Sequence, residues 1–129
     1  MRESGLKITI TSDKKQYEKG EPINISLDIK NNTSKKLIVN EPIINYNLNL
    51  HFENVKGGQT TLKPPGIPPV NFKIQEVALE SNKRIIRRYD NIDFYLSEYP
   101  SAGEYKIYFV YMFVGNTIAS NCVKIEITD

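Results

Sequence analysis

His51 and Cys122 are the single histidine and the single cysteine of this 129-residue chain. A general base needs an orienting partner and a proton to abstract within hydrogen-bond reach. His51 falls on the polar side of an alternating run, where a solvated or hydrogen-bonded surface histidine is the expectation. Cys122 is out of phase with Val123 and Ile125 and so faces away from the core. None of the local signatures of cysteine nucleophiles surrounds it, which predicts a partly buried, inert thiol. A four-ligand zinc site cannot be built within one chain from these two residues alone. Asp90, Asp93 and Glu98 form the densest carboxylate group, but Asp90-Asn91-Ile92-Asp93 lacks the glycine and the spacing of a calcium loop. Glycine-rich phosphate loops and Gly-x-Ser-x-Gly elbows are absent. These residues argue against an enzyme and for no metal and no cofactor.

Three other groups point to binding. Lys83, Arg84, Arg87 and Arg88 suit an acidic partner or a phosphate, and equally a strand edge guarded by charge. Tyr108, Val110 and Met112 lie on one side of the longest apolar run, opposite Tyr105, Ile107, Phe109, Tyr111 and Phe113. An outward side this apolar is either covered by the long middle segment or meets a partner. Pro64, Pro65, Ile67 and Pro68 sit in a Pro-rich stretch, residues 63–69, whose four prolines remove four donors and so keep it out of a sheet interior. It reads as a crossover loop or as a recognition segment.

The elements that carry these residues are strands. Leu6, Ile8 and Ile10 alternate with Lys7, Thr9 and Thr11, a period of two. Tyr17 to Pro22 reads as a reversal marked by Gly20 and Pro22. Ile23, Ile25, Leu27 and Ile29 alternate with Asn24, Ser26, Asp28 and Lys30, one face core and one face water, as in an antiparallel sheet. Asn31-Asn32-Thr33-Ser34 ends that strand, and Leu37-Ile38-Val39 forms a short one. Tyr46, Leu48, Leu50 and Phe52 make the next, before a turn at Gly57-Gly58. Residues 59–62 form a short returning strand, and Phe72, Ile74, Val77 and Leu79 an interrupted one. Residues 83–89 follow as an edge strand, and residues 96–99 as a single helical turn before Pro100. The long strand from Tyr105 turns at Gly115-Asn116 into a final strand with Val123, Ile125 and Ile127 inward. Seven to nine short strands with regular turn signals and no helical period define an all-β sandwich or barrel.

Two stretches resemble known families. Ala102-Gly103-Glu104-Tyr105-Lys106-Ile107 is similar to the start of the sixth strand of immunoglobulin-like sandwiches, where a corner tyrosine bonds back to the preceding turn. The resemblance makes Tyr105 that tyrosine and puts Ile107 where antibody domains place a cysteine. Ile25 and Leu27 stand at the partner positions and the chain has no tryptophan, which leaves the fibronectin-like and bacterial immunoglobulin-like group. Thr11-Ser12-Asp13-Lys14, Tyr17-Glu18-Lys19-Gly20-Glu21-Pro22-Ile23 and Asn31-Asn32 resemble macroglobulin-type modules. The overall order is also similar to the bacterial intracellular proteinase inhibitor (BsuPI-like) group, although the Gly and Trp features of that group's middle are missing.

Composition bounds the rest. Seventeen basic and fifteen acidic residues give a net charge of +2, too little for the dense basic face of a nucleic-acid binder. No apolar run approaches the ~20 residues of a membrane span, and Met1 to Gly5 has no apolar signal core. The richness in Lys, Ile and Asn has the flavour of a bacterial genome rich in A and T. The expectation is one domain, residues 1–129, an antiparallel immunoglobulin-like β-sandwich of seven to nine strands. Its function reads as a non-enzymatic bacterial module for protein binding or structural support, with an extracytoplasmic setting favoured. The alternatives are a proteinase-inhibitor-like domain acting through residues 63–69, or a carbohydrate-binding module using Tyr108 or Tyr111. No nucleic acid, no membrane span and a possible protein partner complete the expectation, with oligomeric state open.

Overall fold

A computed structural model describes residues 5–44, 46–57, 75–113 and 115–129. The chain is an all-β sandwich whose ladders are antiparallel except one. Strands β1 (Leu6–Ser12), β3 (Ile25–Asn31) and β7 (Arg84–Tyr89) form one sheet in the order β1-β3-β7. Strands β2 (Gln16–Glu18), β10 (Val123–Thr128), β8 (Gly103–Phe113) and β5 (Leu48–Asn54) form the other, with β9 (Asn116–Ala119) pairing β8 beside β10. A third ladder joins β4 (Leu37–Asn40) to β6 (Glu76–Leu79).

Period-two alternation builds the core. Ile8, Ile10, Ile25, Leu27, Ile29 and Ile85 line the first sheet's inner side, and Leu50, Phe52, Tyr105, Ile107, Phe109, Tyr111, Ile125 and Ile127 the second's, all buried. The Tyr89 and Phe109 rings, one from each sheet, meet with centroids 6.3 Å apart. The Tyr105 hydroxyl donates to the Ser101 carbonyl at 2.8 Å, so the expected corner is formed, and Ile107 is fully buried beyond it.

Several expectations are corrected. The stretch from Tyr17 is not only a reversal: Gln16–Glu18 is a strand that pairs parallel with β10, carrying the chain from one sheet to the other. Tyr17 is fully buried and donates to Asp13, an anchor that a single aromatic among charges did not reveal. The last run is likewise two strands, β9 and β10. The strand holding His51 starts at Leu48, not Tyr46. Asn47 is buried before it, accepting from the Ile43 N–H at 2.7 Å and donating to the Glu41 carbonyl at 3.0 Å. The single helical turn lies at Ile92–Tyr95 rather than 96–99, and Leu96 is extended. Asn91 in the left-handed region starts that turn, and Asp93 fixes it by accepting from the Ile23 N–H at 3.0 Å. Residues 59–62, Phe72 and Ile74 lie outside the described residues.

Candidate binding face

The inner phase of β8 is core, so its outer phase defines the face to consider. Register sets Tyr108 opposite His51, Val110 opposite Asn49 and Lys106 opposite Glu53. On the other side of β8, Val110 faces Ala119 and Met112 faces Thr117. Tyr108 and Val110 are half-buried, whereas Met112 is 39% exposed. The structure therefore brings the three expected outward residues onto one sheet surface.

Cross-strand packing organises its centre. The His51 and Tyr108 rings stack at 4.5 Å with 3° between their planes. The Tyr108 hydroxyl donates to Glu53 Oε2 at 3.2 Å, a diagonal contact within reach of a long side chain. Partial desolvation and the Glu53 carboxylate both raise the Tyr108 phenol, which stays neutral at physiological pH. His51 is thus a partly exposed surface residue that forms one half of an aromatic pair. Sequence phase placed both rings outward, but only strand register makes them neighbours.

Cys122 is exposed, not partly buried, and directly precedes Val123, which pairs with Ile107 beside Tyr108. It follows the break between β9 and β10, where Ser120 Oγ accepts from the Phe109 N–H at 2.9 Å. Asn121 clasps the first sheet there: Oδ1 accepts from the Ile10 N–H at 2.7 Å and Nδ2 donates to the Ile10 carbonyl at 3.1 Å. The break separates β9 from β10, which both pair with β8, and leaves the thiol beside the face.

Other candidates are distributed differently. Pro64, Pro65, Ile67 and Pro68 lie outside the described residues, as does the middle segment expected to cover the face. Tyr111, expected as a sugar platform, is fully buried, donates to the Asn40 carbonyl and stacks on Phe113 at 5.2 Å. Paired exposed tyrosines on β8 are therefore ruled out. The basic group is largely neutralised: Arg84 pairs with Asp28, Arg88 with Asp90, and Arg87 grips Glu41 through two bonds of 2.6 and 2.7 Å. Glu41 and the hydrogen bond it accepts hold Arg87 above its ordinary pKa. These ion pairs stud β7, which has no second neighbour among the described residues, as charge on a guarded edge does. Asp90 and Asp93 thus already have partners.

No protein-family model and no curated protein matches the sequence. Solved structures do match the fold. The sporulation control protein Spo0M from Bacillus subtilis superposes with a TM-score of 0.61 at 10% identity, over 98% of this chain and 50% of its own. The C-terminal domain of Wzt gives 0.54 at 7% identity, over 98% and 75%. A β-glucosidase from Listeria innocua in complex with isofagomine gives 0.50 at 11% identity, over 96% and 16%. This chain spans half the length of the sporulation control protein. At these identities the likeness is one of fold, and a fold of this kind hosts many functions.

Proposed function

We propose that this chain is a non-enzymatic β-sandwich module that binds a protein partner through the outer face of β5, β8 and β9. The observation that carries the reading is the Tyr108–Val110–Met112 row. It combines an aromatic pair, an aliphatic side chain and an exposed methionine on one sheet surface. Aromatic residues and methionine are the types enriched at interface centres, with polar residues around them. Glu53, Lys106 and Lys124 supply a charged rim at one end, Lys106 lying opposite both Glu53 and Lys124. His51 is spent on a ring stack and Cys122 has no base assigned to it, which supports a binding role over a catalytic one.

Cys122 provides the test. As the chain's one thiol, it takes a photoactivatable cross-linker without any mutation and points it across the face. Irradiation in extracts of the source cells should give one discrete adduct that Met112→Lys and Val110→Lys both abolish. Adducts that persist in both variants, or none in the unmutated protein, would sink the reading.

A further inference from the structure

The opposite surface, the outer side of the β1-β3-β7 sheet, concentrates positive charge in one row. Register sets Lys7 opposite Lys30, and Lys30 opposite Arg84, so three cations stand side by side across three strands. Like charges directly opposed in a sheet are destabilising. One carboxylate answers them: Asp28, in the adjacent row, accepts from Arg84 Nη1 at 2.6 Å through Oδ2. Lys7 and Lys30 make no ion pair among the described residues. Asp28 Oδ1 is buried and has no hydrogen-bond partner there. Lys7, Thr9, Asp28, Lys30, Asn32 and Arg84 together line a recess of about 170 Å³.

We infer that this recess is an anion site that takes a phosphoryl group carrying or flanked by a hydroxyl. Three cations against one carboxylate leave an excess of two positive charges, which a phosphate neutralises. The Thr9 hydroxyl and the Asn32 amide add neutral donors at the rim. Asp28 Oδ1 has no exposed surface; an anion that draws the neighbouring cations toward itself uncovers it, and a donor on the ligand then relieves the cost of a buried acceptor without a partner. Hydrogen phosphate brings such an O–H itself, and a phosphorylated sugar brings one from its ring; sulfate brings none. The recess is smaller than the ~300–1,000 Å³ of sites that engulf a drug-sized ligand, so the anionic group enters and any remainder stays outside. This site is independent of the β5–β8–β9 face, which lies on the other sheet.

The test is a titration of isotope-labelled protein with inorganic phosphate, a hexose phosphate and sulfate in parallel, at constant ionic strength. Saturable shifts confined to the amides of Lys7, Thr9, Asp28, Lys30 and Arg84 are expected with the phosphates. The tighter of the two names the source, and sulfate should bind several-fold more weakly. Lys7→Gln with Lys30→Gln should weaken phosphate by about tenfold, whereas Lys106→Gln on the other sheet should leave it unchanged. Urea unfolding of the double variant should be unchanged or slightly later, since the repulsion is relieved, so its loss of binding is not a loss of fold. No saturable shift with either phosphate, equal binding of sulfate, or binding that survives the double variant would overturn the inference.

Discussion

Asn31 shows how one polar side chain sets the geometry around it. It is fully buried at the end of β3, and all its hydrogen-bonding capacity is used. Nδ2 donates to the Lys35 carbonyl at 2.8 Å and the Leu79 carbonyl at 2.9 Å. Oδ1 accepts from the Thr33 N–H at 2.9 Å and from its hydroxyl at 2.6 Å. Its backbone joins the β3–β7 ladder to the 80–83 turn, accepting from the Asn82 N–H at 2.8 Å and donating to the Lys83 carbonyl at 3.0 Å. Asn31→Ala should therefore cost about 2–4 kcal/mol, because it strands several buried groups at once. Urea denaturation would read this as a lower midpoint at unchanged slope. Asn31→Asp should be nearly as costly, since a carboxylate cannot donate to two carbonyls. In the sequence Asn31 reads as a turn residue, which is correct about where the strand stops. Its burial was not legible, because the carbonyl of Leu79 lies 48 residues away and no local pattern announces it.

At the scale of elements, the sandwich is closed by switches and clasps. β1 belongs to one sheet and β2 to the other, and the Asp13 carboxylate, accepting from the Tyr17 hydroxyl and the Asn24 amide, ties the corner between them. On the far edge Asn121 binds Ile10 through both its amide groups, imitating a strand partner for one residue. Asn121→Ala should speed hydrogen exchange at the Ile10 amide selectively, while the Thr9 and Thr11 amides, which face β3, keep their protection. Equal acceleration along all of β1 would mean that the clasp holds the whole strand rather than one bond. The long alternating strands were readable because a half-buried ladder writes its period directly into the sequence. The three-residue β2 was not, since its register comes from β10, more than one hundred positions later.

For the whole molecule, buried tyrosines tie stability to alkaline pH. Burial is the main reason that Tyr17, Tyr89 and Tyr111 all titrate above their ordinary value, Tyr111 being pushed up to about 12. Asp13 adds to the shift at Tyr17, and the Glu41 carboxylate to that at Tyr89. In the unfolded chain these phenols ionise near pH 10. Above that pH the unfolded state holds fewer protons than the folded one, so stability falls as pH rises. The contribution is fully present below about pH 10 and is lost progressively toward pH 12 and beyond. Absorbance at alkaline pH should show part of the chain's tyrosines ionising reversibly near pH 10. The rest should ionise only together with loss of the folded signal. A single transition for all eight tyrosines near pH 10 would contradict the burial of these three.

The outward residues of β8 were legible as a row, since their phase follows from the core set, but their setting was not. The stack on His51 and the approach of Cys122 depend on which strands flank β8, and sequence phase says nothing of neighbours. The central claim is that this row is open for a partner and is not part of the chain's own core. Urea unfolding of Met112→Lys tests that claim directly. An open face predicts a stability within about 0.5 kcal/mol of the unmutated protein, as for ordinary surface substitutions. A loss of about 2 kcal/mol or more, the mark of a charge forced into packed surroundings, would contradict it.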